Sequence, residues 1–326
     1  VNEEFGNKRP VMAVDLGGTK ILAALFQTGD RVIDRKLEST RADEGVESVI
    51  RRFFHIVDGL LAKNGIAPEE LGSISIAAAG GIDSRRGVIT FSPNMPGWSG
   101  VPLRSMVEDR YRVSSFLLND ASAAALGEHR FGAGRGSQEM VLLTVGTGIG
   151  GGIITGGKLY LGADGAAGEI GHMTVEINGP ECRCGNTGCL EMLASGTAMV
   201  REAVSRIEGG EASLLAEMAG NGGITGEMVS IAAERGDPLA LEIIDRIAFY
   251  LGVGLVNLVN IFNPEIIVIG GGVANLGNLL LDPARMLVRE RAFAVSAERV
   301  RIVTAELGNE AGIYGATAYA SGSAMK

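Results

Sequence analysis

Two stretches of this chain repeat one pattern, and that repeat restricts the fold more than any other feature. Val11 to Phe26 reads VMAVDLGGTKILAALF, and Val141 to Thr155 reads VLLTVGTGIGGGIIT. Each is an apolar strand, a glycine–threonine turn and a returning strand. A repeated unit implies two related halves, and 326 residues exceed what one core usually supports. Around the hairpins, helices and strands alternate. Helical spacing runs through Gly45 to Lys63, Ala121 to Phe131, Thr197 to Ile207, Thr225 to Glu234, Pro238 to Phe262, Leu276 to Arg291 and Glu310 to Ala320. Short apolar runs at Ser73 to Ala79, Val113 to Leu118, Ile266 to Ile269 and Val300 to Thr304 predict buried strands, and Arg31 to Ser39 an edge strand. The class is α/β in two domains.

Several functions are disfavoured by composition. A net charge of -9 argues against nucleic acid or an anionic membrane as partner. No run of 18 uncharged apolar residues is present to span a bilayer. The start, VNEEFGNKRP, lacks the apolar core of a secretory signal. The three cysteines all fall within Cys182 to Cys189, which rules out a regular disulfide framework and points to a reducing cytoplasm and a metal.

The metal set is Cys182-x-Cys184-x4-Cys189 with His172 upstream, a Cys3His composition standard for structural zinc. Four protein ligands leave no open position for catalysis. Gly185 and Gly188 permit the tight turns that gather three thiolates. The second nitrogen of a metal-bound imidazole normally meets an oxygen partner, so His172 is also a candidate ligand contact. Glu169 and Glu191 flank the same site as candidate acceptors of ligand hydroxyl protons; exposed surface charge is the alternative, weakened by their place beside the cysteine loop.

The two glycine turns suit phosphate. In Asp15-Leu16-Gly17-Gly18-Thr19-Lys20 and in Gly146-Thr147-Gly148, backbone N–H groups and threonine hydroxyls can hold phosphate oxygens. Neither is a Walker loop, since each joins two strands. An ordinary hairpin turn is the alternative. Asp15 at a strand end is placed to help hold Mg2+. Gly271 and Gly272, in IGGGV, face either the adenosine part of a nucleotide or a close helix–strand contact. Asn119-Asp120 stands at the carboxyl end of a strand, where open α/β sheets bind ligands, although position alone favours a helix N-cap. SPNMPGW, Ser92 to Trp98, is a shaped loop that presents Asn94. His55 and His129 read as structural or solvated.

Taken together, AVDLGGTK (13–20), SPNMPGW (92–98), LNDASAAALGE (118–128), TVGTGIGGGI (144–153), GAAGEIGH (165–172), CRCGNTGCLE (182–191), IGGGV (269–273) and AGIYGATAYA (311–320) resemble the ROK family. This is the repressor and sugar-kinase group of the actin/hexokinase-like superfamily. The resemblance implies two RNase H-like domains with an interdomain cleft, a small one from 1–119 plus 307–326 and a large one from 120–306 carrying the zinc loop 172–189. It implies ATP- and Mg2+-dependent phosphorylation of a hexose, glucose first, at its primary hydroxyl, with Asp120 as general base. Asn94, Asn119, Asp120, Glu169, His172 and Glu191 become sugar contacts. Asp15, Gly17, Gly18, Thr19, Lys20, Gly146, Thr147, Gly148, Gly271 and Gly272 become nucleotide contacts, and His172, Cys182, Cys184 and Cys189 the ligands of a structural Zn2+. A homodimer or higher homo-oligomer is expected. The alternatives are an N-acetylmannosamine or other hexose kinase, polyphosphate as donor, and a sugar-responsive repressor lacking its DNA-binding domain. Two departures stand out: Ser122 replaces an asparagine, and Ala79-Gly80-Gly81 replaces Pro-Gly-Pro, which bears on the sugar pocket.

Overall fold

The structure, a computed structural model, describes residues 9–27, 30–220 and 222–322. The stretch on which the signal-peptide expectation rests falls mostly at 1–8, outside the described residues. Contacts divide the chain into two compact units. One comprises the chain up to Gln138, Gly152–Gly168 and the chain from Glu306; the other comprises Glu139–Gly151 and Glu169–Ala305.

The first unit opens with β1 (Val11–Leu16), β2 (Lys20–Phe26), β3 (Val32–Ser39), α1 (Val46–Asn64) and β4 (Ser73–Ala78). There follow β5 (Gly81–Asp83), β6 (Val88–Phe91), α2 (Leu103–Tyr111), β7 (Ser115–Asn119) and α3 (Asp120–Phe131). Its sheet has the order β3-β2-β1-β4-β7, antiparallel on the β2 and β3 side and parallel on the β4 and β7 side. Side chains alternate across a strand, so β1 faces two ways. Met12, Val14 and Leu16 join a core with Val49, Phe53, Ile56 and Leu60 of α1. Ala13 lies on the opposite face, in a cluster with Leu22, Ala24, Ile313 and Ala316. Asp15 shares that face. The short β5–β6 hairpin and α2 carry too few periodic residues to be read from sequence.

The chain continues with β8 (Met140–Val145), β9 (Ile149–Thr155), β10 (Lys158–Leu159), α4 (Leu190–Ala194), α5 (Gly196–Glu208), α6 (Leu214–Ala219) and α7 (Gly226–Glu234). After these come α8 (Pro238–Phe262), β11 (Ile266–Gly270), α9 (Asn278–Arg291), α10 (Ala294–Arg299), β12 (Arg301–Thr304) and α11 (Ala311–Ala320). The second sheet runs β10-β9-β8-β11-β12, with β11 parallel to both β8 and β12. This is the order of the first sheet again, as the sequence repeat requires. Asp237 caps α8 through Ala240 N–H at 2.9 Å, and Pro238 follows at a position where no N–H is needed.

The helix α11 belongs to the first unit. It crosses α3 at a distance set by absent side chains. A Cβ on Gly127 would lie 2.3 Å from the Ala311 carbonyl oxygen, and one on Gly315 would lie 1.7 Å from that of Ala123. The sequence places a domain boundary between Asn119 and Asp120; the contact division instead keeps α3 with the first unit, because α3 packs on α11. Glu128, fully buried on α3, accepts from the N–H groups of Ala133 (2.8 Å), Glu306 (3.1 Å) and Leu307 (2.7 Å), tying the approach to α11 to the same helix.

Gly315→Ala should therefore lower the unfolding free energy by about 2–4 kcal/mol, since neither backbone can yield cheaply. Gly222→Ala, whose Cβ would meet nothing nearer than 3.7 Å, should change it by less than about 0.5 kcal/mol. Denaturant titrations of both variants decide this; equal stabilities would show that the helix crossing tolerates a methyl group.

Candidate active site and metal centre

In the first unit, the β1–β2 turn is closed by Gly17 N–H to the Lys20 carbonyl at 3.0 Å. Thr40 buttresses it: its hydroxyl donates to the Gly17 carbonyl at 2.6 Å and its N–H to the Thr19 carbonyl at 2.9 Å. Gly18 lies against Asn94, since a Cβ there would be 2.8 Å from both the Asn94 Cβ and its carbonyl oxygen. That contact brings the SPNMPGW loop to the glycine turn. Met95 and Trp98 anchor the loop in the core while Asn94 stays exposed. Trp98 is thus a packing anchor, not a pocket wall.

Asp15 and Asp120 are electrostatically coupled carboxylates in this unit. Asp15 is the last residue but one of β1, and its carboxylate occupies space kept open by Gly312, whose Cβ would lie 2.7 Å from Oδ2. Burial foremost, then the Asp120 charge, push the Asp15 carboxyl up to about 7, against a smaller opposing pull from Lys20. Asp120 is the first residue of α3, and its Oδ1 accepts from Ala121 N–H at 2.8 Å. A helix N-terminus favours a negative charge there. Asn119 is the N-cap of α3: its side-chain oxygen accepts from Ser122 N–H at 3.0 Å and its amide donates to the Gly80 carbonyl at 3.0 Å. The cap falls on Asn119, and Asp120 brings its carboxylate to the first turn of α3. The second departure from the family pattern lies here, because Gly80 holds the Asn119 amide.

In the second unit, Gly146 N–H closes the β8–β9 turn onto the Gly148 carbonyl at 2.9 Å. The start of α5 braces it: Gly196 N–H donates to the Gly146 carbonyl at 2.8 Å and the Thr197 hydroxyl to that of Thr147 at 2.7 Å. Gly271 supports the strand before it, since a Cβ would lie 2.4 Å from the Val145 carbonyl oxygen, whereas Gly272 has open space. Glu191 reaches the same turn. Its Oε2 accepts from Ile149 N–H at 2.8 Å, and Gly148 leaves room for it. Thr40, Gly196, Thr197 and Gly312 escaped the sequence reading. The one available signal was Ser195-Gly196-Thr197 opening a helix.

His172, Cys182, Cys184 and Cys189 converge, with their ligand atoms all within 4.8 Å of one another. Cys182 Sγ lies 3.6 Å from His172 Nδ1, and Cys184 Sγ lies 3.7 Å from Cys189 Sγ. Tetrahedral zinc with bonds of about 2.3 Å separates its sulfur ligands by about 3.8 Å, so the set fits that ion. The opposite ring nitrogen, Nε2, lies 3.9 Å from Glu169 Oε2. Asn186 donates to Cys189 Sγ at 3.3 Å. Burial pushes the Cys189 thiol up to about 12, so metal binding must displace a proton there. Gly188 is obligatory: it has φ 67°, and a Cβ would lie 1.6 Å from the Glu176 carbonyl oxygen.

The ROK family model matches residues 11–323. Over 310 residues the chain is 39% identical to a glucokinase of Thermotoga maritima, covering 95% of this chain and 96% of that protein. A xylose repressor of Caldicellulosiruptor bescii is 32% identical over 98% of this chain but 79% of its own length. Among solved structures, a ROK family glucokinase from Streptomyces griseus in complex with glucose and AMPPNP superposes with a TM-score of 0.82 at 37% identity, covering 96% of this chain and 99% of that one.

Two outcomes follow from this geometry. Metal analysis should return one zinc per chain in the parent; Cys184→Ser should lose it and melt at lower temperature, and full metal retention would count against the ligand set. For Asp15, the folded state holds a proton that the unfolded state releases between about pH 4 and 7, so ionising it costs stability as pH rises through that window. Without divalent cation, Asp15→Asn should be more stable than the parent by about 2–4 kcal/mol at pH 8 and by less than about 1 kcal/mol near pH 4. Denaturant midpoints at the two pH values test the sign.

Proposed function

This chain belongs to the ROK family, and from that premise we propose that it is a glucokinase, transferring the γ-phosphoryl group of ATP to the 6-hydroxyl of glucose. The observation that carries the mechanism is the pair of Asp120 and Asp15, a carboxylate at a helix N-terminus beside one at a strand end. Asp120 takes the proton from the primary hydroxyl as the phosphoryl group transfers. Asn119 keeps the other N–H of its capping amide for the sugar, and Asn94 offers an exposed amide. The ring hydroxyls fall to Glu169, to His172 Nε2 and to Glu191, whose Oε2 is held by the Ile149 N–H. The N–H groups and hydroxyls of Gly17, Gly18, Thr19, Gly146, Thr147 and Gly148 receive phosphate oxygens, with Lys20 adding charge and Gly271-Gly272 lying against the nucleoside.

Mg2+ held through Asp15 would neutralise charge building on the transferred phosphate. The donor fits, because a cation beside Asp15 offsets both the burial and the Asp120 repulsion that raise its pKa. Zn2+ on His172, Cys182, Cys184 and Cys189 would supply rigidity, with no part in the transfer. Unpaired thiols at all three cysteines support a reducing, cytoplasmic setting and a place at the entry of sugar breakdown. Exposed Phe249, Ile261, Met286 and Phe293 in the second unit offer apolar area for self-association into a homodimer or larger homo-oligomer.

Asp120→Asn should fold with the parental melting profile and lose about a thousandfold in kcat. A coupled ADP-release assay over glucose, mannose, fructose and N-acetylmannosamine should give the highest kcat/KM for glucose. Near-parental turnover in the variant would sink the base assignment, and preference for N-acetylmannosamine would replace the substrate.

A further inference from the structure

The β1–β2 turn carries backbone donors that the protein leaves free. Gly17 N–H is engaged with the Lys20 carbonyl, but the N–H groups of Gly18 and Thr19 meet no acceptor among the described residues. The hydroxyl of Thr19, an exposed residue, has no partner there either. Glycine at both 17 and 18 gives this backbone wide conformational freedom, so nothing within the turn fixes where those donors point.

Thr40 supplies the constraint from outside. It is fully buried, and both of its donors go to the turn, the hydroxyl to the Gly17 carbonyl at 2.6 Å and the N–H to the Thr19 carbonyl at 2.9 Å. A peptide group is planar and trans, so a carbonyl held in one direction sends the next N–H in the opposite one. Fixing the Gly17 carbonyl therefore aims Gly18 N–H away from Thr40, and fixing the Thr19 carbonyl stops the turn from pivoting. Thr40 is clamped in its turn. The Arg52 guanidinium, on the second turn of α1, donates to the Thr40 carbonyl and to Glu44 Oε2, and its side chain is only 16% exposed. Between those two acceptors the chain passes through Arg41 at φ 49° and ψ 58°, the left-handed region that costs free energy for a residue with a Cβ. A comparable brace holds the other glycine turn, where the Thr197 hydroxyl meets the Thr147 carbonyl at 2.7 Å. Thr40 follows a strand and Thr197 lies in the first turn of a helix, so the two are not copies inherited through the repeat.

We propose that Thr40 is a positioning residue for phosphate: it orients the glycine turn so that Gly18 N–H, Thr19 N–H and the Thr19 hydroxyl stand ready for phosphate oxygens, and Arg52 holds Thr40 in place. The proposal rests on the glucokinase reading only in taking that phosphate to be the end of ATP. A turn ordered beforehand raises affinity for the nucleotide and leaves affinity for the sugar alone.

Thr40→Val keeps the shape and the N–H and removes only the hydroxyl. In the intact protein it should raise the Kd of a non-hydrolysable ATP analogue, measured by calorimetry, and the KM for ATP by about tenfold, with the KM for glucose within about twofold of the parent. Thr40→Ser, which restores the hydroxyl, should bring nucleotide affinity back to within about threefold. Arg52→Met keeps the hydroxyl and loosens its anchor; it should raise the nucleotide Kd by about threefold, and it carries the test if the buried valine impairs folding. Parental nucleotide affinity in Thr40→Val, equal weakening of nucleotide and glucose, or a serine variant as weak as the valine one overturns the positioning role and leaves the kinase reading standing. A parent that binds inorganic tripolyphosphate but no adenine nucleotide overturns the donor reading alone, and Thr40→Val should then weaken tripolyphosphate by the same factor. A parent that binds neither overturns both.

Discussion

Gly127 and Gly315 let the backbones of α3 and α11 approach until a single added carbon would sit within 2.3 Å and 1.7 Å of the opposing carbonyls. The chemistry of the first unit depends on that approach. α3 begins with Asp120, and α11 begins beside Gly312, which makes room for Asp15. Moving the helices apart would therefore change the spacing of the two carboxylates. Their coupling falls with distance and with water entry, so an expansion of even an ångström or two would weaken the field that raises the Asp15 pKa. Glu128 holds the crossing from the side, because a buried carboxylate accepting three N–H bonds costs several kcal/mol to unpair.

The repeat shows how one scaffold was specialised twice. Both sheets share their strand order, and both place a glycine turn after the central strand. Aligned from Gly17 and Gly146, the first residues of the two turns, Asp15 falls opposite Thr144. Only the first copy thus carries a carboxylate on the strand of its own hairpin; the acid at the second turn, Glu191, comes from α4. The second copy closes its turn one residue earlier, Gly146 to Gly148 instead of Gly17 to Lys20, and braces it with the start of a long helix. A carboxylate on the strand that feeds the turn suits a cation beside a reacting phosphate, whereas a helix start beside the turn favours anionic oxygens.

What the sequence revealed was mostly local or periodic. The hairpins, α1, α3, α8 and the Cys3His set each sit within a short window, where spacing alone carries the signal. What it concealed depended on distant approach. Gly312 and Gly315 look like ordinary small residues in an alanine-rich helix until Asp15 and Ala123 are seen against them. Thr40 and Thr197 buttress glycine turns that lie twenty or more positions away in the chain. The SPNMPGW loop is legible as a shaped loop, but that Trp98 anchors it in the core shows only in its burial at 2% exposure. α4, α6 and α10 are too short for periodicity to show, being six residues or fewer.

The zinc loop illustrates how a metal can matter for binding without taking part in chemistry. A histidine side chain free to rotate loses conformational entropy each time it orders on a ligand. In this loop Nδ1 faces Cys182 Sγ at 3.6 Å, so an ion on the thiolates fixes the ring plane, and Nε2 is left facing Glu169 at 3.9 Å. With an ion bound, the entropy of ordering would be spent when the loop folds, before any sugar arrives. Gly188 makes the geometry all-or-none, since no other residue fits against the Glu176 carbonyl. The same turn feeds Cys189 directly into α4, which carries Glu191 to the second glycine turn. An ion held by His172, Cys182, Cys184 and Cys189 would therefore join His172 and Glu191 in one rigid element, its position setting where both side chains stand.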